Sequence, residues 1–196
     1  MSKEISIPLS TAATRESATN WLRAAGIAIA GSAFVAVCAH LSIPLYFTPV
    51  PLSLAPFAVL VLGLLLSPRL AGATLLAYLA EGAIGLPVFA PSPLTGIAHL
   101  LGPTGGYLLS YPLAAPLISI LFRRTRRWFG PAFLSAGAGS LVILACGALW
   151  FMAITHAPIQ VVVTQTVVPF LPGDALKVAA AAGIAVAASR LRRNNA

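Results

Sequence analysis

Charged residues are scarce in this chain, and acidic residues are nearly absent. Only 8% of the 196 residues are charged, and four of them are acidic, whereas a soluble domain carries roughly a quarter charged residues. Hydrophobic residues make up 59% of the sequence, and the mean hydropathy is +0.93. This composition excludes an ordinary soluble domain and predicts an integral membrane protein.

The motifs of several enzyme classes are also missing. The sequence contains no G-x-x-x-x-G-K-[ST] pattern for nucleotide phosphates, no G-x-S-x-G nucleophile and no paired-acid metal motif. Cys38 and Cys146 both fall within apolar stretches, which favours buried free thiols over a disulfide. His40, His99 and His156 lack ligand spacing and neighbouring carboxylates, so we interpret them as packing residues and expect no metal site.

Six apolar stretches are long enough, alone or with flanking residues, to cross a bilayer, which takes about 20 residues. They cover approximately residues 21–41, 52–66, 70–86, 105–122, 131–155 and 174–189. We therefore predict an all-α integral membrane protein with six transmembrane helices. It forms a single domain over residues 21–196, which a polar cytoplasmic segment of residues 1–20 precedes.

The cations collect at one end of these spans. Cytoplasmic loops of membrane proteins are enriched in Lys and Arg. Six spans with the N-terminus inside place nearly all cations on the cytoplasmic side: Lys3, Arg15, Arg23, Arg69, Arg123, Arg124, Arg126, Arg127, Arg190, Arg192 and Arg193. Only Lys177 lies on the outer side. The pattern predicts that both termini are cytoplasmic, and it accounts for the formal net charge of +8 without a nucleic-acid partner.

Two acidic residues approach the membrane, Glu81 in the third span and Asp174 at the start of the sixth. An ionisable residue at membrane depth costs about 2.5 to 3.5 kcal/mol and usually faces the protein interior or a functional site. In LPGDALK, residues 171–177, Asp174 and Lys177 share one helical face. Either Asp174 caps the helix while Lys177 reaches the interface, or the pair binds a ligand. For Glu81 we predict a structural role through interior hydrogen bonding.

Three segments on the predicted outer side are rich in Pro, Gly, aromatic or β-branched residues yet remain apolar: residues 43–54, 85–108 and 156–170. We expect them to fold back onto the bundle as re-entrant or capping loops. The turn GPTGGY, residues 102–107, leads into the fourth span. Its glycines either let backbone amides approach a ligand or make a plain joint between loop and helix. These features predict a pocket for a small ligand captured from outside.

Small residues recur at every fourth position of the first span, at Ala24, Ala28, Ser32 and Ala36. Such a stripe lets another helix approach closely. By spacing alone, packing within an Ala-rich bundle is the favoured interpretation.

Four sequence blocks together resemble the BioY family, the biotin-specific substrate-binding S components of energy-coupling factor (ECF) transporters. The blocks are TPVPLSL (48–54), GAIGLPVFA (82–90), LLGPTGGYLLSYPLAA (100–115) and PFLPGDALKVAAAA (169–182). The resemblance extends from about residue 21 onward. It implies a six-helix protein of the bacterial inner membrane that captures biotin from outside and delivers it inward. It implies no enzymatic activity and no cofactor.

The resemblance also implies site residues. Asp174 matches the acid that accepts a hydrogen bond from the ureido ring of biotin. Lys177 matches a base, either for the valerate carboxylate or for holding Asp174. The remaining expected contacts are the residues of the GPTGGY turn and two apolar walls: Thr104, Gly105, Gly106, Tyr107, Phe47 and Phe89.

The partners implied by the resemblance are biotin, a transmembrane coupling (T) subunit and cytoplasmic ATPase subunits. S components present a small-residue stripe on their first helix to the coupling subunit, and Ala24, Ala28, Ser32 and Ala36 match that stripe. ATP hydrolysis has to come from the partners, because this chain lacks a nucleotide-phosphate motif. An S component for riboflavin or thiamine, and a small intramembrane enzyme, remain as alternatives.

Overall fold

The computed structural model describes residues 9–126 and 128–194. Over these residues the chain forms α1 (Leu9–His40), α2 (Ala55–Leu65), α3 (Pro68–Ala83), α4 (Ile97–Leu101), α5 (Gly105–Arg123), α6 (Phe129–Thr155), α7 (Ile159–Thr166) and α8 (Leu171–Asn194). Strands β1 (Ser42–Ile43) and β2 (Leu52–Ser53) pair antiparallel between α1 and α2. Apart from this short hairpin the regular structure is helical, as predicted.

Four helices are long and apolar enough to cross a membrane. They are Asn20–His40 within α1, Gly105–Arg123, Phe129–Thr155 and Leu171–Leu191 within α8. Helix α2 is a shorter apolar helix of 11 residues, and α3 has 16 residues. By length and composition, these segments are those of a membrane protein.

Helix α5 lies at the centre of the bundle and packs against α2, α3 and α6. Helix α8 packs against α2 and α6, and α1 packs against α2 and α3. Fully buried side chains such as Tyr78, Leu75 and Ile118 fill the space between these helices. Dense apolar packing around α5 therefore holds both ends of the bundle in place.

The bundle has two distinct ends. At the first, which we call the loop end, the end of α1 meets the starts of α2, α5 and α8 around a cavity. At the second, the arginine-rich end, the ends of α2, α5 and α8 meet around another pocket. Arg69, Arg123, Arg124, Arg126 and Arg190 lie on the segments that reach this second end.

The connecting segments at the loop end fold onto the bundle, as the expected capping loops would. Val50, Phe89, His99, Val162 and Phe170 of these segments are buried. Helices α4 and α7 within them were not predicted, because a short helix in a Pro- and Gly-rich or β-branched segment has a weak propensity signal. Each helix buries few side chains, His99 in α4 and Val162 and Thr166 in α7, and packs against α5 and α6 respectively.

Both ends of the chain are more helical than predicted. Residues 9–20 of the predicted polar segment belong to α1, whereas residues 1–8 lie outside the described part. Helix α8 begins at Leu171, and the Asp174 backbone N–H already donates to the Phe170 carbonyl at 2.8 Å. Pro172 fits in this first turn, where a missing N–H leaves no helical bond unmade. The interpretation of Asp174 as an N-cap is therefore wrong.

Candidate functional site

A cavity at the loop end lies between α1, α2, α3, α5, α6 and α8. It holds about 600 Å³ of unfilled space, including its open mouth. Apolar side chains and tyrosine rings form most of the wall. Polar atoms come from the side chains of Ser53, Tyr78, His99, Thr104, Tyr107, Tyr111, Asp174 and Lys177. An apolar cavity with a few converging polar groups is typical of a small-molecule site.

An ion pair lies in the α8 wall of this cavity. Lys177 Nζ donates to Asp174 Oδ1 at 3.2 Å, and each residue is only 8% exposed. The second carboxylate oxygen, Oδ2, accepts a hydrogen bond from Ser140 Oγ at 2.9 Å. Each carboxylate oxygen can accept a further hydrogen bond, and the ammonium group has further protons to donate. The pair is therefore held in place and still has capacity for a ligand.

Two tyrosines tie the loop end to the bundle with their hydroxyl groups. Tyr107 Oη donates to the Thr166 carbonyl of α7 at 2.7 Å, and Tyr78 Oη donates to the Val88 carbonyl at 3.1 Å. The ring of Tyr111 is stacked near that of Tyr78, with 6.4 Å between centroids. Because the hydroxyls of Tyr107 and Tyr78 have protein partners, it is the aromatic rings that are available to a ligand.

Comparison with known proteins assigns this chain to a family. The model of the BioY family matches residues 9–194. The chain belongs to the BioY family. A probable biotin transporter BioY of Pyrococcus horikoshii is 38% identical over 149 residues, which cover 74% of this chain and 83% of that relative. The biotin transporter BioY of Thermotoga maritima is 34% identical over 160 residues, or 82% of this chain and 92% of the relative.

A solved structure of the same fold supports the assignment. The crystal structure of the S-component for biotin from an ECF-type ABC transporter superposes with a TM-score of 0.77 at 28% sequence identity. The match covers 89% of this chain and 93% of that one. The BioY resemblance found in four sequence blocks is thus confirmed, and the chain is a membrane-embedded protein.

Four of the predicted site residues of this BioY family member lie on the cavity wall: Thr104, Tyr107, Asp174 and Lys177. Phe89 is buried behind the wall, with its ring 5.4 Å from that of Tyr78 and 5.0 Å from that of His99. Phe47 is not brought to the cavity. It lies between β1 and β2 and is 58% exposed, because the hairpin carries it away from the bundle surface.

The two glycines of the turn, Gly105 and Gly106, do not line the cavity and instead allow close helix packing. A Cβ atom on Gly106 would overlap Trp150 Cβ and the Cys146 carbonyl oxygen, both on α6. The start of α5 can lie directly against α6 only because Gly106 has no side chain, and a Cβ on Gly105 would overlap the Leu100 carbonyl of α4. Their role is therefore to place the neighbouring wall residue Tyr107, which agrees with the simple loop-to-helix interpretation.

We expect Gly106→Ala to destabilise the protein by about 1 to 3 kcal/mol, because a methyl group has no room against the α6 backbone. Thermal unfolding in detergent should show a lower Tm than the wild type. Gly137→Ala is the matched control, since a Cβ at this α6 position meets no atom within 4 Å. Its Tm should be unchanged or slightly higher, and equal Tm values for the two variants would contradict the packing role.

Sequence reasoning did not place Ser140 or His99 at the site. Ser140 lies within an apolar span, and its contact with Asp174 crosses 34 positions, so it has no local signal. The His99 ring, on α4, is hydrogen-bonded through Nδ1 to the Leu94 carbonyl at 3.1 Å. A carbonyl oxygen only accepts, so Nδ1 donates and Nε2 is the free nitrogen of the neutral ring. A lone histidine in an apolar loop was the only available signal.

The small-residue stripe of α1 is divided between two environments. Ser32 is fully buried and donates a hydrogen bond to Glu81 Oε2, so it cannot contact a partner subunit, and that part of the prediction is wrong. The same hydrogen bond, from a fully buried hydroxyl, supports the predicted structural role of Glu81. Ala24, Ala28 and Ala36 are half-buried.

Proposed function

We propose that this chain is the biotin-binding S component of an ECF transporter, which captures biotin in the loop-end cavity and delivers it inward with an ATP-driven module. The observation that carries the proposal is the buried Asp174–Lys177 pair in the wall of an otherwise apolar cavity. The names of its relatives, biotin transporters of the BioY family, give the substrate. The chain supplies binding, and its partners supply the energy.

The chemistry of biotin matches the cavity. Biotin carries two N–H donors and a carbonyl on its ureido ring, an apolar thioether ring, and a carboxylate on a flexible chain. Asp174 accepts a ureido N–H on a lone pair that Ser140 and Lys177 leave free, and this hydrogen bond is charge-assisted. The tyrosine rings and apolar walls pack against the thioether ring and the aliphatic chain.

The distance of 3.2 Å between Lys177 Nζ and Asp174 Oδ1 supports the second of the two roles expected for Lys177, which is to hold Asp174. Lys177 has two further protons, and one of them suits the ureido carbonyl oxygen. The valerate carboxylate then extends toward the mouth of the cavity. His99 and Thr104 line both this cavity and the adjoining outer one, so they are the polar side chains that the tail would pass.

The membrane arrangement follows from the same assignment. We place α1, α2, α3, α5, α6 and α8 across the bacterial inner membrane, with both termini cytoplasmic and residues 21–196 as one domain after the cytoplasmic segment of residues 1–20. The position of the arginines at one end of the bundle supports this orientation. Helices α2 and α3 are shorter than the roughly 20 residues of a full span, and the capping loops complete the thickness at the loop end.

Residues 20–30 of α1 are the proposed contact with the transmembrane coupling subunit, the partner that links this chain to the ATPase subunits. None of these residues is buried, whereas five residues between positions 31 and 39 are. A Cβ at Gly26 meets no atom within 4 Å. Ala24 and Ala28 are small residues within this stretch, and small residues allow a neighbouring helix to come close.

Titration of biotin into the purified protein in detergent tests the function. We expect saturable binding of one biotin per chain, and no binding of riboflavin or thiamine at the same concentrations. Binding of either control vitamin in place of biotin would replace the substrate while keeping the S-component assignment. Absence of binding of all three by folded protein would contradict the proposal and favour the intramembrane enzyme.

A further inference from the structure

A second pocket lies at the arginine-rich end, opposite the loop-end cavity. It lies where the ends of α2, α5 and α8 meet, and its unfilled space, including its opening to solvent, is about 400 Å³. Seven residues line the pocket, and two of them, Arg123 and Ser189, are polar. The other five are apolar: Leu64, Leu65, Phe122, Ala185 and Ala188. Biotin capture at the other end of the bundle does not use this pocket.

The guanidinium group of Arg123 is oriented by two linked hydrogen bonds. Arg123 Nε donates to Ser119 Oγ at 3.2 Å, and Ser119 Oγ donates to the Leu66 carbonyl, at the end of α2, at 2.7 Å. Within residues 9–126 and 128–194, the terminal amino groups of Arg123 make no hydrogen bond or ion pair. A guanidinium held through Nε presents its remaining N–H donors in the planar arrangement that suits a phosphate group.

The charges around the pocket favour an anion. Arg124 and Arg126 follow Arg123 and are exposed, and Arg190 follows Ser189 on α8 and is exposed. Asp174 and Glu81 do not offset them, since Asp174 lies at the loop end and Glu81 lies near the loop end of α3. The pocket therefore has a positive rim above an apolar floor.

The pocket lies at the depth of lipid headgroups. Arg123 is the last residue of the span Gly105–Arg123, and Ser189 is close to the end of Leu171–Leu191. Trp128 and Phe129 begin α6 at the same end and are 61% and 48% exposed. Exposed aromatic residues of this kind mark the interface between membrane and water.

We propose that this pocket binds an anionic glycerophospholipid, with Arg123 on the phosphate and the first methylene groups of an acyl chain on the apolar floor. Basic pockets between transmembrane helices are suited to lipid headgroups. The small side chains of Ala185 and Ala188 leave the space that the acyl chain occupies. The apolar floor favours a lipid over free phosphate, which has no apolar part to bury.

Native mass spectrometry of the full-length protein in mild detergent tests this site. Delipidated protein is titrated with phosphatidylglycerol, and we expect it to retain one molecule at concentrations at which zwitterionic phosphatidylcholine is not retained. Arg123→Gln should weaken this retention at least about tenfold through the loss of charge-assisted hydrogen bonds. Ala188→Phe should also weaken it by filling the pocket without changing the charge. Arg123→Lys, which keeps the charge and loses the planar donors, should weaken it less than Arg123→Gln.

Arg126→Gln is the matched control, because it removes one charge from the same end without lining the pocket. It should retain the lipid as the wild type does.

Equal weakening by Arg123→Gln and Arg126→Gln would overturn the proposal in favour of diffuse attraction. Full displacement of the lipid by inorganic phosphate would overturn it in favour of a free-phosphate site. Unchanged retention by all Arg123 variants would overturn it as well. Lipid retention is measured without biotin, so the result tests this proposal separately from the proposed transport function.

Discussion

Asp174→Asn is expected to lower the affinity for biotin at least tenfold, which corresponds to about 1.4 kcal/mol. The amide keeps the shape of the carboxylate but replaces one acceptor with a donor. The two carboxylate oxygens accept from Lys177 Nζ and Ser140 Oγ. The amide keeps only one acceptor oxygen, so the Ser140 hydroxyl, which can also accept, has to turn when that oxygen stays with Lys177. Lys177 is also left as a buried cation without its counter-charge. Removal of one partner from such a pair typically costs about 2 to 5 kcal/mol.

The matched control for this variant is Glu81→Gln. It makes the same chemical change at the other acid of the bundle, which hydrogen-bonds Ser32 and does not line the cavity. Titration calorimetry should give a wild-type biotin affinity for Glu81→Gln. Comparison of Asp174→Asn, Lys177→Met and the double variant measures the coupling within the ion pair. A folded Asp174→Asn protein with wild-type affinity would refute the assignment of the site.

Ala28→Trp is expected to abolish co-purification with the transmembrane coupling subunit while the affinity for biotin stays unchanged. Ala28 is half-buried and lies within residues 20–30 of α1, none of which is buried. Packed helices lie about 8 to 10 Å apart at small residues, and an indole ring at the contact prevents this approach. The variant lies far from the loop-end cavity, so it leaves Asp174 and Lys177 in place.

Val37→Trp is the control for added bulk on the same helix. Val37 is 63% exposed and follows Ala28 by nine residues, which places it roughly 180° around the helix. This variant should still co-purify with the coupling subunit. Retention of the complex by Ala28→Trp would show that residues 20–30 of α1 face lipid only. Loss of biotin binding in Ala28→Trp would show that the substitution disturbs the bundle itself.

Local patterns were sufficient to predict several features of the site. Asp174 and Lys177 are three residues apart, so any helix over residues 171–177 brings them together. The length and hydropathy of the predicted spans agree with four helices long enough to cross a membrane, and the count of six stays a prediction. Thr104 and Tyr107 of the GPTGGY turn lie on the cavity wall.

These local patterns could not predict contacts between residues that are far apart in the sequence. The roles of Gly105 and Gly106 depend on how closely α4 and α6 approach the start of α5, and nothing in the local sequence marks Phe47 as 58% exposed. The short helices α4 and α7 contact α5 and α6, and propensity does not reveal such contacts.

The sequence by itself determined the membrane class, the family and the adjacency of Asp174 to Lys177. Each of these depends on composition, on the spacing of residues within a block, or on the repeat of a single helix. Only the tertiary structure decided that Ser140 holds the second oxygen of Asp174 and that Ser32 faces Glu81 and not a partner. These contacts join residues 34 and 49 positions apart, and such pairs are set by the packing of whole helices against one another.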